Sequence, residues 1–222
     1  MRGNSSPVGK PSGRLKHRQN QHAPRRNEHL FKIIKLIARV LLAPFFQMQV
    51  VGAENLPADS AFILLAKHQR WVDIPLLGLA TPRPLYYIAK FELFKNALSS
   101  WFCSSLGGIP LNRQRPLESR RSLNATIELL EMGEGIVIFP EGTYYRDQMG
   151  PGQAGMVRFV ISRLSLPLIP VGINYAAGGW RSCVRINFGN AFHPEPDLPL
   201  DKFFKHLMAE IAHLSGLACN LG

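Results

Sequence analysis

His68 and Asp73 bracket the run His68-Gln-Arg-Trp-Val-Asp73. A chain that turns between them can bring the carboxylate to one imidazole nitrogen and leave the other as a proton acceptor. Imidazole suits that work because its ordinary titration lies near neutrality. The same residue types also suit a capping aspartate beside a surface histidine, and the pair alone leaves both readings open. A second cluster is Phe139-Pro-Glu-Gly-Thr143, where Gly142 lets backbone approach a ligand and a backbone N–H could meet an anion. An ordinary turn would use the same residues. A third, Gly107-Gly-Ile-Pro-Leu-Asn-Arg113, ends in a guanidinium that can pair with phosphate or carboxylate through two bonds. The fourth, Leu166-Pro-Leu-Ile-Pro-Val171, is apolar with two prolines, which belong at a strand edge or bulge.

The elements that position these residues follow from the apolar pattern. Short runs at Met48–Val51, Phe62–Ala66, Leu85–Ala89, Gly108–Leu111, Ile136–Phe139, Leu168–Ile173 and Val184–Phe188 read as strands. Helical spacing covers Ile74–Leu79, Glu92–Ser104, Leu117–Met132, Ala154–Arg163 and Lys202–Leu217. The alternation predicts an α/β fold with a mostly parallel mixed sheet flanked by helices. Continuous runs such as FILLA and IVIF require a sheet covered on both faces. His68 then lies just after one strand and Asp73 at the mouth of the next helix, with Asp73 as its expected N-cap. Glu141 lies just after another strand. In an open α/β sheet, ligands bind along that edge.

The charge is uneven. The chain carries 26 Lys and Arg against 15 acids, and ten of those bases fall within residues 1–39, where Glu28 is the only acid. Residues 1–28 are polar and read as a disordered basic tail. Residues 29–52 read as an amphipathic helix at a membrane interface. Lys32, Lys35 and Arg39 share one face, which would turn toward headgroups, and Pro44 should kink or end the helix. A core helix is the competing reading. Mid-bilayer cations cost about 2.5–3.5 kcal/mol each, which argues against a span. Residues 53–222 would form the α/β domain. Cys103, Cys183 and Cys219 are scattered, which fits a reducing intracellular compartment, and no metal-ligand spacing is present.

Taken in order, H-x4-D, G-G-I-x-L-x-R, F-P-E-G-T and L-P-x-I-P-V resemble the four-block pattern of the glycerolipid acyltransferases, the lysophosphatidate-type, PlsC-like family. The resemblance runs from His68 to Val171. It implies catalytic roles for His68 and Asp73 and acceptor phosphate binding by Arg113. It also implies substrate contacts by Glu141, Gly142 and Thr143, and acyl-donor binding or site shaping by Leu166–Val171. The implied reaction, a step of phospholipid biosynthesis, moves a fatty acyl group from acyl-CoA or acyl carrier protein to a lysophospholipid hydroxyl. No cofactor or metal is implied beyond that co-substrate. The implied partners are a membrane lipid acceptor and an anionic membrane surface, with no nucleic acid expected. The implied location is the cytoplasmic face of a membrane, peripheral or monotopic. One departure stands out: E-G-T-R is usual where phosphate is handled, and here Tyr144 takes the arginine's place, with Arg146 two residues on as the candidate substrate-binding residue that would substitute for it. Transfer to a non-phosphorylated lipid alcohol or glycolipid therefore stays open. Hydrolysis and a non-catalytic membrane or nucleic-acid-binding protein are the remaining readings.

Overall fold

The computed structural model describes residues 25–112, 115–194 and 199–218. Most of the expected basic tail, Arg113 and Cys219 lie outside these residues. In chain order the elements are α1 (Glu28–Leu42), β1 (Phe46–Val51), a 3-10 turn (Ala53–Asn55), β2 (Phe62–Ala66) and α2 (Asp73–Ala80). There follow β3 (Leu85–Lys90), a 3-10 turn (Phe91–Phe94), α3 (Ala97–Ser105), β4 (Gly108–Leu111) and α4 (Pro116–Glu131). The chain ends with β5 (Gly135–Ile138), α5 (Gly155–Ile161), β6 (Leu168–Gly178), β7 (Arg181–Phe188) and α6 (Leu200–Leu214).

All seven strands join one sheet in the order β1-β7-β6-β2-β5-β3-β4. Every neighbouring pair is parallel except β6 with β7. The expected α/β class with a mostly parallel mixed sheet is what forms. Successive side chains on a strand point to opposite faces, so β2 feeds two cores. Ile63 and Leu65 pack with Leu129 of α4, Val157 and Val160 of α5, and Leu207 and Ile211 of α6. Phe62 and Leu64 pack with Leu76 and Leu77 of α2. All five residues of β2 are at most 1 % exposed. Each large side chain there contributes about 1.5–3 kcal/mol by leaving water.

Several expectations need correction. Residues 29–52 are not one helix: α1 stops at Leu42 and Phe46–Val51 joins the sheet, pairing with β7. Pro44 cannot continue the helix. The chain is also placed before residue 29. Asn27 caps α1 through its side chain, and its N–H donates to the Ser105 carbonyl at 2.9 Å. Arg26 stacks over the Tyr86 ring at 4.7 Å and pairs with Glu28 at 2.7 Å. Of the three α1 cations, Lys32 and Arg39 are exposed, whereas Lys35 turns inward and donates to the Thr81 carbonyl at 2.9 Å. Burial, then the Arg39 charge, lowers the Lys35 ammonium below its ordinary value.

The expected helix Glu92–Ser104 breaks into a 3-10 turn and α3 at Lys95–Asn96. Pro170 lies in a central strand rather than at an edge. Its missing N–H causes no loss because β7 pairs with β6 only from Val171 onward, and the Pro170 carbonyl accepts from Gly189 at 2.9 Å. No helix among the described residues is long and apolar enough to cross a membrane.

Candidate active site

The carboxyl ends of β2 and β5 lie side by side, with Leu65 level with Ile138. The segments that leave them, Lys67–Asp73 and Phe139–Gly150, therefore meet at one edge. The first folds back on Asp73. That residue is 0 % exposed and forms the first turn of α2, with Val72 rather than Asp73 in the N-cap position. Its carboxylate reaches backward instead of capping forward. Oδ2 accepts from the backbone N–H of Gln69 at 2.6 Å and Arg70 at 2.7 Å, and meets His68 Nδ1 at 3.0 Å. Oδ1 accepts from the Tyr175 hydroxyl of β6. A carboxylate can only accept, so His68 must carry its proton on Nδ1, and Nε2 is the basic nitrogen. No hydrogen bond engages Nε2 among the described residues. The ring stacks on Phe139 at 3.9 Å between centroids, and Tyr144 tilts over it at 4.4 Å. His68 is 7 % exposed.

Beneath this pair lies a buried ion pair. Lys67 Nζ donates to both Glu141 oxygens at 2.9 and 2.8 Å, and to the carbonyls of Tyr145 at 2.7 Å and His68 at 3.2 Å. Glu141 also accepts from the N–H of His68 at 3.2 Å and of Gly150 at 2.6 Å. Burial pulls the Lys67 ammonium below its ordinary value, and the bond and charge of Glu141 oppose that shift. Burial, then the charge and hydrogen bond of Asp73, raise the Tyr175 hydroxyl above its ordinary value.

Beside the loop runs an apolar groove of about 400 Å³ between α1, α2 and α3. Sites for small molecules commonly fall between about 300 and 1,000 Å³. Trp71 of the His68–Asp73 loop forms part of its wall, with Phe31 and Ile34 of α1, Pro75 of α2 and Phe102 of α3.

A family model described as "Acyltransferase" matches residues 47–174, well over half of the chain. The chain belongs to the acyltransferase family. It is 32 % identical over 151 residues to a 1-acyl-sn-glycerol-3-phosphate acyltransferase of Bacillus subtilis, covering 68 % of this chain and 74 % of that protein. Identity is also 32 %, over 149 residues, to the chloroplastic 1-acyl-sn-glycerol-3-phosphate acyltransferase BAT2 of Brassica napus. There the match covers 66 % of this chain and 42 % of the longer plant protein. The fold matches the crystal structure of the 1-acyl-sn-glycerophosphate acyltransferase PlsC from Thermotoga maritima. The TM-score is 0.68 and identity 24 %, over 86 % of this chain and 80 % of that one.

The acyltransferase brings His68, Asp73 and Glu141 together, but Glu141 not as a substrate contact. It is 1 % exposed and both oxygens are taken by protein donors, so its geometry makes it a positioning residue. The Gly142 N–H is not open to an anion, because it closes the turn on the Phe139 carbonyl at 3.0 Å. Gly142 sits at φ 69, where a side chain would be strained. Thr143 is partly buried and Arg146 exposed beside them. Arg113 lies outside the described residues. Of Leu166–Val171, residues 168–171 form the start of β6 beside β2, and the Val171 carbonyl accepts from the Lys67 N–H at 2.9 Å.

Lys67, Gln69 and Tyr175 were missed by sequence reasoning. The signal for Lys67 was a lone cation ending the apolar run FILLA one strand away from Glu141. Gln69 ties the loop to its neighbours, donating to the Ile173 carbonyl at 2.7 Å and accepting from the Asp147 N–H at 2.9 Å. Tyr175 carried no signal, being one tyrosine beyond the last block.

Proposed function

We propose that this acyltransferase transfers a fatty acyl group from acyl-CoA or acyl carrier protein to the free hydroxyl of a 1-acyl-glycerol-3-phosphate. The observation that carries the reading is the His68 imidazole, fixed by Asp73 through Nδ1 at 3.0 Å and open at Nε2, beside an apolar groove. Nε2 takes the acceptor's hydroxyl proton as the oxygen attacks the thioester carbonyl. Asp73 stabilises the imidazolium that forms. The tetrahedral intermediate collapses, the carbon–sulfur bond breaks, and the imidazolium returns its proton to the departing thiolate. No protein nucleophile takes part. The names of the Bacillus and Brassica relatives support this acceptor. The groove suits an acyl chain.

The proposed setting is the cytoplasmic face of a membrane, held peripherally. What supports it is the outer face of α1, where Ile33, Leu36, Val40 and Leu41 are between 56 and 63 % exposed. Trp71, Leu98 and Trp101, from the loop and α3 that border the groove, are also exposed. An apolar surface with basic residues among it suits an anionic bilayer. Leu36→Ser with Val40→Ser should reduce flotation with anionic vesicles while leaving the melting temperature unchanged. Undiminished flotation refutes the placement.

The reaction is tested with a labelled acyl-CoA and a panel of lysophospholipid and non-phosphorylated acceptors, on the wild type and on His68→Ala. Removing the base should lower the rate about 10²–10⁴-fold. Labelled free fatty acid as the main product, or full activity in His68→Ala, sinks the reading.

A further inference from the structure

Arg70 presents a guanidinium that, among the described residues, is held only by stacking on an aromatic ring. Its backbone N–H is held by Asp73 at 2.7 Å, so the residue is fixed two positions from His68. Its guanidinium lies over the Tyr175 ring at 4.3 Å, and the hydroxyl of that ring holds the other oxygen of Asp73. Nε is buried with no hydrogen-bond partner. No ion pair or side-chain hydrogen bond engages the guanidinium among the described residues. Buried donors are rarely left idle, and a stacked guanidinium is already set in the plane that bidentate binding needs.

The position is informative as well. His68 follows β2. The apolar groove extends from the loop toward β3 and α3, whereas Tyr175 lies on β6, on the other side of β2. Arg70 therefore lies across His68 from the groove, so the site is apolar on one side and cationic on the other. Tyr144 stands where phosphate-handling sequences place an arginine, and Arg70 adds beside the imidazole a cation that position 144 lacks.

We infer that Arg70 binds the phosphomonoester of the acceptor and selects for phosphorylated lysolipids. This deepens the proposed function and rests on it. In a 1-acyl-glycerol-3-phosphate the phosphate lies two carbons and an ester oxygen from the reacting hydroxyl. A cation beside the His68–Asp73 pair therefore reaches it, whereas the diphosphate of acyl-CoA sits beyond the long pantetheine arm. Two charged groups close to His68 are already paired. Lys67 is taken by Glu141, and Asp73 by His68, Tyr175 and two backbone N–H groups.

The test compares wild type, Arg70→Gln and Arg70→Lys with a 1-acyl-glycerol-3-phosphate and with the matching monoacylglycerol, using one acyl-CoA. Calorimetry with glycerol 3-phosphate gives a second readout on the same proteins. Arg70→Gln should raise KM for the phosphorylated acceptor tenfold or more and hold kcat within about threefold. It should leave KM for acyl-CoA unchanged and abolish glycerol 3-phosphate binding. Arg70→Lys should fall between. An equal loss with both acceptors overturns the inference, since Arg70 would then only brace Tyr175 and Asp73. A KM rise confined to acyl-CoA overturns it too. If the wild type acylates no lysophospholipid, the proposed function fails. Unaltered glycerol 3-phosphate binding in Arg70→Gln is the separate result that defeats the role of Arg70.

Discussion

Replacing Asp73 with asparagine separates charge from architecture. All four partners of the carboxylate are donors: the N–H groups of Gln69 and Arg70, His68 Nδ1 and the Tyr175 hydroxyl. An asparagine oxygen must keep the Oδ2 position, since an amide NH₂ there would face two backbone donors. The NH₂ then faces Tyr175, whose hydroxyl can accept instead of donate. The loop and the His68 tautomer survive, and only the negative charge is lost. Unit charges about 4 Å apart interact by about 4 kcal/mol at an effective dielectric near 20. The gap between charged and neutral hydrogen bonds is about 1–2 kcal/mol. The imidazolium in the transition state therefore loses about 2–4 kcal/mol, a fall in kcat of about 30- to 1,000-fold at about 1.36 kcal/mol per tenfold. Thermal unfolding should move by only a few degrees. Asp73→Ala should behave differently. It leaves two buried backbone donors unsatisfied at about 1–3 kcal/mol each, so the fold itself weakens. Steady-state kinetics and calorimetric melting on both variants decide the matter. If Asp73→Asn keeps kcat within threefold of wild type while His68→Ala is inactive, the carboxylate only shapes the loop and the electrostatic argument is wrong.

Two further perturbations concern the support beneath the site. Glu141→Ala strands the Lys67 ammonium with only carbonyl partners. Breaking a buried pair typically costs about 3–5 kcal/mol, so urea unfolding should shift by that amount, and a shift below about 1 kcal/mol would contradict the clamp. Burial raises the hydroxyls of Tyr175 and Tyr87 above their ordinary value of 10.0. The unfolded chain then loses these protons first, so the stability they contribute is complete below about pH 10 and declines as pH rises further. Tyr87→Phe should lessen that alkaline decline relative to wild type, and equal slopes in a stability–pH series would rule the account out.

How much of this was legible depended on the range of each signal. FILLA and Gly108–Leu111 showed where they end because each apolar run stops at a polar residue, Lys67 and Asn112. The block carrying His68 and Asp73 placed the pair correctly, since strand, loop and helix are consecutive. Asp73 was misread as a forward cap because sequence does not tell which way a short carboxylate turns. The Lys67–Glu141 pair spans 74 residues and becomes visible only once β2 and β5 are known to be neighbours. The helix expected over Glu92–Ser104 broke because periodicity does not register a local change to 3-10 winding. The expected strand ending at Ile173 runs on to Gly178 because it gains a hairpin partner in β7, and that extension is what delivers Tyr175 to Asp73.

The attachment of α1 has a mechanical consequence. Its start is moored to Ser105 and Tyr86, its middle to Thr81, and the turn after it to Arg181, which donates to the Ala43 carbonyl. A helix moored along its whole length cannot swing like a flexible leash. Whatever plane its outer face rests on, the mouth of the groove keeps one heading to that plane. A lipid drifting sideways would therefore always approach the imidazole from the same quarter, without the protein having to reorient for each encounter.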